Sequence, residues 1–134
     1  MIRYTRSTRG ISADKLNGFF EGWPKKPSPQ RHLELLESSD EVIVAVDEES
    51  GDVAGFITAV TDHVLAAYIP FLEVLPRYRK KGIAGELLRR MLDKLKYLYM
   101  VDTVCDEEVI GFYKKSGFVK HTAMIYRNYT KQGG

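Results

Sequence analysis

The feature that most constrains this 134-residue chain is a change of hydrophobic period between residues 67 and 95. Ala67 to Leu75 reads AYIPFLEVL, an apolar run of strand length that stops at Pro76, a residue with no N–H to give a ladder. Beyond it Ile83, Leu87, Leu88, Met91, Leu92 and Leu95 recur at helical spacing, with Glu86, Arg89, Arg90, Asp93 and Lys94 on the opposite face. A strand therefore feeds a long amphipathic helix through a short basic turn, Arg79-Lys80-Lys81-Gly82. Such a pair needs a sheet layer against a helix layer.

The rest of the chain supplies both layers. Ile2 to Thr5 reads as a short strand, and Ser12 as the cap of a helix over Ala13 to Glu21 with Leu16, Phe19 and Phe20 on one side. The prolines of WPKKPSP interrupt any helix, and Ser28 or Pro29 opens a second one carrying Leu33, Leu35 and Leu36. Glu41–Val46 and Val53–Val60 flank the turn cluster DEESGD as a hairpin. Tyr99–Val104 reads as a further strand. Asp106 then reads as an N-cap, with Glu107 and Glu108 in the first turn, Lys114 and Lys115 in the last and Gly117 beyond. Phe118–Tyr129 is expected to finish the sheet as one or two strands, and Thr130–Gly134 to fray. The expected architecture is a single α/β (α+β) domain over residues 1–134.

Twenty Lys and Arg against eighteen Asp and Glu leave a net charge of +2, too little for the basic face of a nucleic-acid binder. Only the local cluster Arg77–Lys81 stands out. One cysteine, Cys105, makes no intramolecular disulfide, and His32, His63 and His121 have no zinc-site spacing, so no metal is expected. MIRYTRSTRG lacks an apolar signal core, and VLAAYIPFLEVL is too short and too interrupted to span a bilayer. No membrane partner and a cytoplasmic location are the expectation.

The basic turn has a definite chemistry. The first turn of a helix presents N–H groups without intrahelical partners, and the macrodipole adds about half a positive charge there, so the position attracts phosphate. Gly82, Ala84 and Gly85 let an anion approach, while Arg79, Lys80 and Lys81 neutralise it. Taken alone, a glycine at a helix start also serves the chain turn, and Arg-Lys-Lys also fits a solvated run. The spellings of a P-loop and of a GxGxxG dinucleotide fingerprint are both absent.

The string VLPRYRKKGIAGELLRRML resembles motif A of the GCN5-related N-acetyltransferases: Arg or Gln, two residues, Gly, one residue, then Gly or Ala, filled here by Arg79, Gly82 and Ala84. Val74, Pro76 and Tyr78 match upstream, and DEEVIGFYKKSGF is similar to the family's second signature. The resemblance implies a mixed, mostly antiparallel sheet flanked by about four helices, with two strands splayed at an acetyl-coenzyme A site. It implies acetyl transfer to a primary amine of a small molecule or protein. Backbone groups of Leu72, Glu73 and Val74 would hold the pantetheine arm, and the turn Arg79, Lys80, Lys81, Gly82, Ile83 and Ala84 the pyrophosphate. Tyr113 falls where the family has the acid that protonates the departing thiolate. Asp106 stands where the family often has a cofactor-contacting Asn, and a carboxylate there only accepts.

A lysine-like amine is protonated at neutral pH and must lose a proton before attack. Strand alternation places Phe71 and Glu73 opposite Leu72 and Val74, which makes Glu73 the candidate base, directly or through water; pairing with an arginine is its alternative. Tyr68 occupies the place of the base in other members. Cys105, with no activating His, reads as a small buried hydrophobe. Phe19, Phe20, Trp23, His63 and Tyr68 are the candidates for an acceptor wall, the two phenylalanines reading equally as core. A non-catalytic acyl-coenzyme A sensor is the competing reading. The apolar last strand AMIYRNY, at a sheet edge, can pair with a second copy in a homodimer.

Overall fold

A computed structural model describes residues 1–134. Five strands form one sheet in sequence order: β1 (Ile2–Thr5), β2 (Glu41–Asp47), β3 (Val53–Thr61), β4 (Ala66–Val74) and β5 (Met100–Thr103). All neighbours are antiparallel except β4 and β5, which run parallel. Three helices accompany the sheet: α1 (Pro29–Ser38), α2 (Ile83–Lys94) and the short α3 (Ile110–Lys114). The expected mixed sheet is present, with fewer α-helices than expected.

The hairpin β2–β3 is the centre of the core. Val44, Ala45, Val53, Ala54, Phe56 and Ile57 are wholly buried, because α2 covers one face of this sheet. Leu87, Leu88 and Met91 supply the covering stripe; burying each contributes roughly 1.5–3 kcal/mol. Gly55 is set by close approach: a Cβ there would lie 2.9 Å from the Glu73 carbonyl oxygen and 3.0 Å from Val74 Cγ2. On the other face Phe19, Phe20 and Phe56 enclose His32 of α1, with ring centroids 4.5–5.1 Å from the imidazole. Ser28 caps α1 as expected, its Oγ accepting from the Arg31 N–H at 3.2 Å.

Several sequence-based expectations are corrected. Residues 13–21 form one 3-10 turn, Ala13–Lys15, and Ser12 makes no capping bond to it; Gly18 and Phe20 then take positive φ (90° and 60°), which a helix does not allow. Leu16, Phe19 and Phe20 are nevertheless buried, from an irregular loop. Asp106 makes no side-chain cap either: a 3-10 turn, Glu107–Val109, precedes α3 and is closed by the Asp106 carbonyl. Phe118–Tyr129 forms no strand in the single chain. The tail is docked rather than frayed, with Gln132 Oε1 accepting from the Lys25 N–H at 2.9 Å. Cys105 is exposed, not buried.

Candidate active site

The site is organised by an irregularity in β4. Between Tyr68 and Phe71 that strand uses one residue more than β3 uses between Thr58 and Val60, a bulge that contains Pro70. Pairing of β4 with β5 ends just before it, at Ile69 opposite Thr103, and the Thr103 hydroxyl caps the Ile69 carbonyl at 2.8 Å. Pro70 has no N–H to continue the ladder. Past this point β4 and β5 separate, and a cleft of about 670 Å³ opens between Leu72–Val74 and Ala84 on one side and Asp106, Phe112 and Tyr113 on the other.

The bulge also decides which backbone groups reach the cleft. The Leu75 N–H donates to Ala54 on β3, and backbone direction alternates along a strand, so Glu73 also turns its main chain to β3 while Leu72 and Val74 turn theirs to the cleft. Val74's carbonyl accepts from Arg79 Nε at 3.0 Å. Leu72 is left with both peptide groups directed into the cleft.

At the adjoining turn, none of the amides from Lys80 to Gly85 donates to any protein group. The first α2 bond runs from Glu86 N–H to the Gly82 carbonyl. Lys80 and Gly82 both take positive φ (62° and 80°), which turns successive N–H groups outward, and the space about Gly82 and Gly85 is open. The amides are thus arranged as an anion cradle at the positive end of a helix. Arg79 is used otherwise: its N–H bonds Pro76 and its Nη2 pairs with Glu21 at 2.8 Å, so it fastens the turn to the N-terminal loop. Ile83 contributes an amide only, its side chain being buried in the core.

Tyr113 is 9% exposed at the wall of the cleft. Burial pushes its hydroxyl above the ordinary tyrosine range, against a smaller opposing effect of the Thr103 hydroxyl. It therefore keeps its proton at neutral pH. Glu73 also lines the cleft, but its carboxylate accepts from the Phe20 N–H at 2.9 Å and the Glu21 N–H at 3.4 Å. Phe71 packs on Phe20 and Trp23 beside it, whereas His63 sits at the β3–β4 turn with Tyr97 and Tyr68 lies on the β5 side of the bulge. Asp106 lines the cleft. Sequence reasoning did not find Glu21 or the role of Pro70; a proline inside a central strand was the available signal for the second.

Known proteins share this fold. The model of the acetyltransferase (GNAT) family matches residues 9–118. The uncharacterized N-acetyltransferase ycf52 of Pyropia yezoensis is 23% identical over 122 residues, 87% of this chain and 70% of that protein. Among solved structures, a Deinococcus radiodurans R1 protein assigned as an acetyltransferase is 40% identical and superposes with a TM-score of 0.96, covering 99% of this chain and 92% of that one; the shared course takes in the C-terminal segment. A GNAT-family acetyltransferase of Streptococcus pneumoniae TIGR4 is 26% identical with a TM-score of 0.76 over 96% and 98% of the two chains. The diverging strands, the basic Gly-containing turn and a family pattern that spans most of the sequence agree, and the chain belongs to the GNAT acetyltransferase family.

Proposed function

We propose that this protein is an N-acetyltransferase that moves the acetyl group of acetyl-coenzyme A to a primary amine of a small molecule or protein. The observation that carries the reading is the row of unpartnered amides from Lys80 to Gly85 opening onto the cleft between β4 and β5. Those amides, with Lys80 and Lys81 beside them, fit a diphosphate; the peptide groups of Leu72 and the N–H of Val74 fit the amide-bearing arm. When bound, acetyl-coenzyme A supplies an activated acetyl thioester.

Tyr113 holds its proton on Oη within the cleft and is the candidate acid for the departing thiolate. Glu73, with its oxygens taken by two amides, is better fitted to hold the Phe20–Glu21 turn against β4 than to take a proton, and we assign it as a positioning residue. Asp106, at the cleft wall, can accept from the cofactor arm or from the incoming ammonium.

Thiol release measured over a panel of primary amines, with parent and Tyr113→Phe side by side, tests the reading. Turnover with at least one amine, sharply reduced in the variant, is expected. Coenzyme A affinity with no turnover on any amine would indicate a sensor instead.

A further inference from the structure

The N-terminal loop carries one carboxylate, Glu21, to the wall of the cleft. Gly18, Phe20 and Gly22 take positive φ (90°, 60° and 84°), and the Phe20 carbonyl accepts from the Trp23 N–H at 3.1 Å, so Glu21 and Gly22 form the corners of a tight turn. Phe20 is buried, and its ring and that of Trp23 pack on Phe71 with centroids 5.9 Å and 6.3 Å away. Glu73 grips the turn from β4 through the Phe20 and Glu21 amides. Glu21 therefore rides on a fixed tip, and its half-exposed side chain reaches the cleft that Tyr113 also lines.

Glu21 shares the cleft with three other carboxylates, Glu73, Asp106 and Glu108, and their situations differ. Both oxygens of Glu73 accept from the main chain. Asp106 and Glu108 stand with Tyr113 on the wall that follows β5, the side from which a departing thiolate takes its proton. Glu21 stands on the opposite wall with β4 and Arg79. Arg79 is fixed at both ends, Nε on the Val74 carbonyl at 3.0 Å and Nη2 on Glu21 Oε2 at 2.8 Å, so it sets the direction of the carboxylate. Glu21 Oε1 is left with no protein partner. A base oriented by a third group is the arrangement that serves an attacking nucleophile.

We propose that Glu21 is the catalytic base of the acetyl transfer, receiving the acceptor's ammonium on Oε1 and taking one proton from it before attack. The assignment rests on the N-acetyltransferase reading. Glu21 passes that proton to solvent, to which its side chain is open. The freed lone pair of the nitrogen makes the bond to the acetyl carbon while the C–S bond breaks, its electron pair going to sulfur. Tyr113 gives its proton to that sulfur and recovers one from the nitrogen of the new amide, so the net products are an amide, a thiol and one proton. Facing walls keep the group that takes a proton apart from the group that gives one. Glu73 and Arg79 then act through Glu21, the first by fixing its turn and the second by aiming its carboxylate.

Glu21→Gln keeps an oxygen for Arg79 and removes only the charge. The probes are ethylamine, protonated at neutral pH, and trifluoroethylamine, whose fluorines leave it neutral there. With ethylamine the variant is expected to lose about 100-fold in kcat/KM together with the acid limb of the pH–rate profile, and Glu21→Asp to restore that limb. Trifluoroethylamine needs no proton removed before attack, and the loss on it is expected to stay within about threefold. Calorimetry of coenzyme A gives a readout apart from turnover: the variant is expected to bind as tightly as the parent or tighter, since a negative charge near the diphosphate is gone. Equal losses on both amines, coenzyme A binding that weakens in step with turnover, or an unchanged acid limb overturns the assignment and leaves N-acetyl transfer standing. A parent that binds coenzyme A and releases thiol with no amine overturns the transfer reading and the assignment with it.

Discussion

Two stretches of this protein leave their main chain unpaired, and they differ in every other respect. Lys80–Gly85 is curved, carries two positive-φ residues and sits at the positive end of a helix beside two lysines. Val119–Arg127 carries no positive-φ residue, exposes Val119, Met124 and Tyr126, and lies near the unpaired edge of β5. A concave row of donors with a positive field fits a small anion, whereas alternating donors and acceptors along a line fit another strand. His32 is a third case: both its ring nitrogens are buried without partners, and only protonation state can respond there.

The first way to sharpen the comparison separates binding from chemistry. Tyr113→Phe leaves the amide cradle intact, so coenzyme A affinity should hold within about twofold while turnover falls on the order of 10²–10³-fold, read by calorimetry and thiol release. The second concerns His32, whose pKa burial among Phe19, Phe20 and Phe56 lowers from 6.5 to about 4. The unfolded chain takes up a proton as pH falls through 6.5 and the folded chain does not until about 4. Stability is therefore fully present above that window and lost within it, by up to about 3 kcal/mol. Urea denaturation of parent and His32→Leu at pH 7 and pH 4.5 should show a smaller pH dependence in the variant.

The third uses Gly85, around which the space is open. Gly85→Glu places a carboxylate in the first turn of α2, where it suits the helix, so stability should rise by up to about 1 kcal/mol while coenzyme A affinity drops roughly 30-fold by charge repulsion. A variant that gains stability yet binds coenzyme A as tightly as the parent would mean that the cradle reading is wrong. The smallest effect belongs to Glu73→Gln, which weakens the hold on Phe20 and Glu21; a loss of about 1 kcal/mol in thermal unfolding and a higher KM for the amine are expected. Loss of the acid limb of the pH–rate profile would instead return Glu73 to the role of base.

The sequence revealed what local rules control. The period of α2, the Ser28 cap and the β2–β3 hairpin follow from patterning within a few residues and are present with nearly the expected bounds. Residues 13–21 misled because Leu16, Phe19 and Phe20 are buried from a loop, and helical spacing of three apolar side chains does not exclude that. The open, glycine-containing turn at the start of α2 was legible from Gly82 and its neighbours. The engagement of Arg79 by Glu21 and of Glu73 by the Phe20–Glu21 turn was not, since both contacts join residues more than fifty positions apart. Phe118–Tyr129 reads as strand because it has strand composition, but a strand needs a neighbour, and within one chain that neighbour is missing.

The most direct test is a titration of isotope-labelled protein with coenzyme A, followed by amide NMR. The account predicts that the largest shifts fall on Lys80–Gly85, with lesser ones on Leu72 and Val74, and that amides 119–127 hardly respond. Saturable binding whose largest shifts lie away from the start of α2, or no binding, would contradict it.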